Sequence, residues 1–449
     1  MRSPLPILVL LAASLGPWPG SAHAEEPRVQ PYLQLMTPTS VHVLWETEAG
    51  EETRVEWGQE SATLGSATVG DWWTSGGGTV LHDVALEGLE PGSRTWYRVV
   101  TGDVVSGPWD FVTPALAGAE APVRLVAMSD MQRDSGNPTI FSEIVNDGIL
   151  PFLAAEAGPD LASTLSFVMI PGDLVDNGWD YDSWAYEFFE PAQALFRHVP
   201  VYPAIGNHEA ETDFYYDYFH LPDNGDDERW WFHDVGNVRM VGLDSNFPFT
   251  TAGQLAWLDD VLEEACSDDD LDFVFAQLHH PFKSEIWPAG ENVWTGGVIE
   301  RLDAFSTACG KPSIHFFGHT HAYSRGESRD HRHLWVNVAT AGGNIDYWGE
   351  YGQPNYDEFA VSQDEYGFVD VEVTAGEQPA FHLRRVSLGN EYLRRDNEVR
   401  DEFTVRRWNE APAAPEGLFP RLGDDASPDD LILLGGAFAD PEGEAHQAT

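Results

Sequence analysis

Five strand-like runs end in residues that can bind a metal: Asp130 (SDMQ), Asp173 (PGDLVDN), Asn207 with His208 (GNHE), His279 (QLHHP), and His319 with His321 (GHTH). Two carboxylates, an amide oxygen and the imidazoles of His279, His319 and His321 form a mixed oxygen and nitrogen donor set that suits Mn, Fe or Zn. Glycine precedes Asp173, Asn207 and His319, so the backbone can turn sharply there and aim the side chain into a cavity. His319 and His321 are two apart and point the same way on an extended segment, each able to reach a different ion with Asp173 between them. A lone Asp or His after a strand is ordinarily structural or solvated. Five such endings in one region are not independent, and together they predict a two-metal site bridged by Asp173.

Alternating strands and helices must position these groups. The run Ser166–Asn177 shows the device: an apolar stretch suited to a buried strand stops at Pro171-Gly172 and delivers Asp173. A strand, a turn and then an acid is how an α/β sheet presents a ligand at its carboxyl edge. The strand candidates are VRLVAMSD, SFVMIPGD, VPVYPAIGNH, VRMVGLDS, DFVFAQLHH and SIHFFGHTH. Between some of them, TIFSEIVNDGILPFLAAEA, YDSWAYEFFEPAQALF, QLAWLDDVLEEA and GVIERLDAFSTA repeat apolar residues at helical spacing. Such a pattern predicts a sheet covered on both faces. LWVNVATAGG, YGFVDVEV and PAFHLRRV read as further strands of a second, packed sheet. Upstream, from Arg28 to about Thr113, alternating runs separated by turns predict a β-sandwich with Trp45 in its core. The fold expected is an N-terminal β-sandwich over 25–115, then an α/β domain over 121–390 with two packed mixed sheets and flanking helices. Residues 391–449 read as an acidic tail or the start of an incomplete β-repeat, its DDLILLGGAFADPEGEAHQAT segment resembling the opening strands of repeated bacterial surface modules.

The chain carries 74 acidic against 24 basic residues, a net charge of −50. That surface repels nucleic acid and anionic membranes, so no nucleic-acid partner is expected. Residues 1–24 combine Arg2, an apolar run from Ile7 to Ala13 and Ala22-His23-Ala24, the pattern of a secretory signal; no later stretch suits a membrane span. The protein is expected to be secreted or periplasmic. Cys266 and Cys309 each precede a strand-like run, and either a disulfide or two buried thiols fits that placement. His198, His220, His233 and His315 lack ligand spacing and read as structural. The pair Trp230-Trp231 reads as core.

The series SDMQ, GDLVDN, GNHE, LHHP and GHTH resembles the calcineurin-like metallophosphoesterases. GHTHAYSRG, WVNVATAGGN and EYGFVDV, behind a β-sandwich, are similar to the purple acid phosphatase branch. LEPGSRTWYRVV resembles the tyrosine corner of fibronectin type III domains, with Tyr97 two residues later than usual. The resemblance implies one ion on Asp130, Asp173 and His321, and another on Asp173, Asn207, His279 and His319. It further implies a bridging hydroxide as nucleophile, His208 as leaving-group acid and Glu209 orienting it. His280, on strand parity, points to the opposite side. The resemblance implies two divalent or mixed-valence transition-metal ions, Fe, Zn or Mn.

Three departures from the branch stand out. Asp176 occupies the place of a tyrosine ligand, so a ferric charge-transfer colour is not expected. Gln132 stands where many relatives carry histidine. The loop after LHHP has no substrate histidine and offers Lys283, Trp287, Asn292 and Trp294 instead. Gln132, Asp176, Glu209 and Arg325 are thus candidates to touch a metal or support its ligands. The function expected is hydrolysis of phosphate monoesters. The alternatives are a phosphodiesterase or nucleotide pyrophosphatase on the same site, and a non-catalytic surface module with a degenerate site.

Overall fold

The computed structural model describes residues 26–226, 228–328, 332–409, 417–419 and 434–435. The secretory pattern at 1–24 lies outside them, as does most of the stretch after residue 409. The first unit is a sandwich of two four-stranded sheets. One orders the strands Val29–Thr37, Ser40–Thr47, Val80–Glu87 and Asp71–Thr74; the other orders Ser66–Val69, Arg54–Gly58, Arg94–Thr101 and Val104–Val112. Alternation explains the packing: Val41, Val43 and Trp45 of one strand, with Val84 and Leu86 of its neighbour, face Val55, Tyr97, Val99 and Phe111 of the facing sheet. Trp45 is fully buried, and its indole N–H donates to Thr101 Oγ1 at 3.0 Å. Tyr97 departs from the tyrosine-corner expectation. Its hydroxyl donates to the Arg197 carbonyl at 2.7 Å, in the second unit, rather than to backbone just upstream.

The second unit packs two sheets face to face. The six-stranded sheet runs Val201–Pro203, Phe167–Ile170, Val123–Ala127, Tyr366–Val373, Ala380–Gly389 and Arg394–Arg406. The seven-stranded sheet runs Trp231–Val235, Val238–Gly242, Phe273–Gln277, Ser313–Phe317, His333–Val338, Tyr323–Glu327 and Phe359–Gln363. Phe273 and Phe275 meet Phe381 edge-on across the seam, with centroids 5.3 and 5.2 Å apart. The strands nearest the site are buried along their whole length, as continuous apolar runs require. Helices Ala252–Ser267 and Val293–Cys309 pack against the seven-stranded sheet and are joined at their ends by the disulfide Cys266–Cys309.

Residues 140–157 and 181–196 are each one continuous helical stretch with a π-type turn ahead of Pro151 and Pro191. A proline ring would clash with the carbonyl four residues earlier, and the wider turn relieves that clash. The six-stranded sheet continues past residue 390. The strand Arg394–Arg406 pairs along Ala380–Gly389, and its charged residues made it read as a tail.

Candidate metal centre

The carboxyl edges of both parallel strand sets meet at one rim. Asp130, Asp173 and Asn207 follow strands of the six-stranded sheet, while His279 and His319 follow adjacent strands of the seven-stranded one. Asp130, Asp173 and His319 adopt positive φ angles of 61°, 52° and 70°. Left-handed backbone at a residue other than glycine costs on the order of 1–3 kcal/mol and is found where the surroundings enforce a side-chain direction. The glycines have a second role here. A Cβ on Gly206 would overlap Asp173, and one on Gly318 would overlap the Asp130 carboxylate.

Asp173 is the centre of the cluster. Its Oδ2 lies 3.1 Å from His279 Nε2, and its Oδ1 accepts from the His208 N–H at 2.9 Å. His279 Nε2 is also 3.0 Å from Asn207 Oδ1, and its Nδ1 donates to the Pro171 carbonyl at 3.0 Å, which orients the ring. Donor atoms of Asp173, His279 and His319 all lie within 4.8 Å of one another. On the other side, His321 Nε2 stands 3.2 Å from Asp130 Oδ1, and its Nδ1 donates to the Asn344 carbonyl at 2.6 Å. Gln132 joins the two sides: its Nε2 is 3.2 Å from His321 Nε2 and 3.5 Å from Asp173 Oδ2. Its Oε1 is buried without a partner. Turning the amide over exchanges the two atoms and aims an oxygen at the cluster.

The electrostatics fit a cation. Burial alone would raise the Asp173 carboxyl, but the His279 and His208 charges outweigh it and hold it down at about 2. Burial acts against the His279 and His321 charges, yet Asp173 and Asp130 respectively raise each to about 9. Burial and the neighbouring His279 and His280 push His319 down to about 2, so it stays neutral and able to ligate.

The supporting residues fall differently. Glu209, fully buried, does not turn toward His208. Its carboxylate accepts from the N–H groups of Gly206, Asp173 and Leu174 at 2.7–2.9 Å, with Val175 N–H at 3.4 Å, and so clamps the turn that carries Asp173. Burial and the Asp173 charge raise it to about 7. Asp176 contributes its backbone: its carbonyl accepts from His208 Nδ1 at 2.6 Å, while its side chain is 62% exposed. Arg325 lies away from the cluster and pairs with Asp401 at 2.6 and 3.0 Å. His280 stays beside the cluster, with its ring 4.4 Å from that of His319 and its Nδ1 2.9 Å from Ser245 Oγ. Strand parity fails for it because the strand ends at Gln277. Of the loop residues, Trp287 packs against His319 at 5.2 Å and Lys283 pairs with Glu358 at 2.7 Å. Asn292 caps the helix Val293–Cys309 through Trp294 N–H at 3.0 Å.

The calcineurin-like phosphoesterase family model matches residues 123–323, the stretch that supplies every residue of this cluster from Asp130 to His321. Over 352 residues the chain is 25% identical to purple acid phosphatase 23 of Arabidopsis thaliana, spanning 65% of this chain and 73% of that protein. The fold is shared with purple acid phosphatase PPD1 from yellow lupin (Lupinus luteus) seeds, at TM-score 0.63 and 16% identity over 83% of this chain and 73% of that one. It is shared equally with PhoD, at TM-score 0.63 and 13% identity over 87% and 92%. The fold and the match define a metal-dependent phosphoesterase of the calcineurin-like type. Within that class the chain is similar in sequence to a purple acid phosphatase and shares the fold of another.

Proposed function

We propose that the chain hydrolyses phosphate monoesters with two transition-metal ions, Fe, Zn or Mn. One ion is assigned to Asp130, Asp173 and His321, with Gln132 as a weak further donor; the other is assigned to Asp173, Asn207, His279 and His319. The observation that carries this reading is the position of Asp173 Oδ2, 3.1 Å from His279 and 3.5 Å from Gln132, which in turn touches His321. Two such ions supply Lewis acidity and the local positive charge that a chain of net charge −50 otherwise lacks toward an anionic ester.

The chain's own residues do the rest. His208 is fixed by its backbone N–H on Asp173 and its Nδ1–H on the Asp176 carbonyl, so Nε2, 3.8 Å from Asp173 Oδ2, is the nitrogen that hands a proton to the departing oxygen. Burial lowers its proton affinity, but Asp173 and the Asp176 carbonyl outweigh that and raise it, which favours the protonated ring that a leaving-group acid needs. Glu209 holds the Asp173 turn and keeps both acceptor oxygens in place. With Asp176 in place of a phenolate, the iron-loaded protein lacks a purple charge-transfer band.

An extracellular or periplasmic setting is supported by the disulfide Cys266–Cys309 and the secretory pattern at the N-terminus. Among the described residues no helix is long and apolar enough to cross a membrane. One feature favours a diester as the second reading. A groove of about 420 Å³ beside Asn207, lined by Ser245, Asn246, Phe247 and His280, could take a second ester arm. Parallel assays of the metal-reconstituted chain on an aryl phosphate and a bis-aryl phosphate separate the readings. Turnover of the monoester supports the proposal; turnover of the diester alone, or of neither, contradicts it.

A further inference from the structure

Outside the catalytic rim, the described residues hold a second cluster of nitrogen and oxygen donors, where the sandwich meets the phosphoesterase unit. His42 and Asp83 sit on neighbouring strands of the sandwich. His42 is registered opposite Ala85, so Asp83 is its diagonal neighbour on the same face. His220 comes from the other unit, just after the helix Asp213–Tyr218, and its N–H donates to Gln34 Oε1. His42 Nδ1 is 2.8 and 3.0 Å from the two Asp83 oxygens, and His220 Nδ1 is 3.2 Å from Asp83 Oδ2. The two imidazoles stack at 3.9 Å, and one donor atom from each of the three residues lies within 4.8 Å of the others.

We propose that His42, Asp83 and His220 bind a zinc-class divalent ion that fastens the sandwich to the catalytic unit. Zinc bonds of about 2.0–2.2 Å place neighbouring donors of a tetrahedron about 3.3–3.6 Å apart, so the two imidazole–Asp83 separations of 2.8 and 3.2 Å need open only slightly. The catalytic rim has the same spacing, with His279 to Asp173 at 3.1 Å and His321 to Asp130 at 3.2 Å. Two imidazoles and one carboxylate are a donor set that zinc accepts, with its fourth position left to water. The side chains of His42, Asp83 and His220 are 19%, 13% and 40% exposed, so an ion can enter without unfolding either unit. Glu228 adds negative charge on the His220 side, its Oε1 accepting from the Leu221 N–H at 3.0 Å. His220 read as structural in the sequence because its partners lie far upstream, in a different unit.

The test uses full-length protein stripped of metal, refilled with zinc alone and desalted, with zinc per chain measured by atomic emission. His42→Ala and His220→Ala should each retain one zinc fewer than wild type, with aryl phosphate turnover unchanged. His220→Gln keeps a hydrogen-bond donor for Asp83 but removes the imidazole, and it should lose the same zinc. To separate this site from the catalytic rim, the comparison is repeated in an Asp173→Asn background, where adding His220→Gln should remove one further zinc. Zinc should raise the melting temperature of wild type more than that of His220→Gln. Equal zinc content in parent and variants, in both backgrounds, would overturn the proposal and leave the triad a hydrogen-bonded clasp.

Discussion

On one side of Asp173 stand Asn207, His279 and His319; on the other stand Asp130, Gln132 and His321. The first group is packed around a fully buried imidazole, with His279 held at both ring nitrogens. The second has a neutral amide where a stronger donor would fit, and its imidazole is 19% exposed. Both share one carboxylate. On the proposed assignment, the difference gives one fold edge two metal positions of unequal donor strength, coupled through the shared carboxylate. An ion on the His279 side should be held tightly, and one on the His321 side should exchange.

Removing the bridge should erase the difference. Asp173→Asn is expected to weaken both positions and cut turnover by at least on the order of 10³-fold, with metal content as the accompanying readout. His208→Ala should leave both ions bound and still lower kcat on the order of 100-fold for a poor leaving group. The loss should shrink for a good leaving group, and an equal loss for both would remove His208 from proton transfer. Glu209→Ala strips the clamp from the Asp173 turn and should weaken metal binding about 10–100-fold on both sides, which a chelator titration would show. Gln132→Ala should act on one side only, lowering the affinity of the weaker ion about tenfold and leaving the tighter one unchanged.

Proton competition sharpens the same comparison. His279 and His321 are both raised to about 9 before metal binds, so below that pH each carries a proton that an incoming ion must displace. Metal affinity should therefore fall as pH drops from 9 toward 6. The exchangeable His321 side should empty first in dialysis at the lower pH.

Much of the rim was legible in the chain because each ligand candidate follows a short apolar strand, and both sheets are built from such strands. What stayed hidden is instructive. Glu209 is adjacent to His208 in sequence, but its partners are backbone N–H groups on a turn more than thirty residues upstream, and such groups leave no trace in residue type. His280 defeated the parity argument because the strand stops two residues before the first histidine of the pair. Arg325 sits beside the GHTH segment, but its strand carries it to Asp401 on the neighbouring sheet. The edge strand Arg394–Arg406 was masked by its charges, the usual protection for an exposed sheet edge.

The most direct test of the unequal two-metal centre is a titration of metal-depleted protein with Mn²⁺, following binding by calorimetry and hydrolysis of an aryl phosphate in parallel. The protein should carry His220→Gln, so that the interdomain triad does not contribute. The account predicts a tight binding phase with little turnover, then a weaker phase along which activity rises, with Gln132→Ala shifting only the second. A single phase that Gln132→Ala leaves unmoved, or full activity after the tight phase alone, would contradict it.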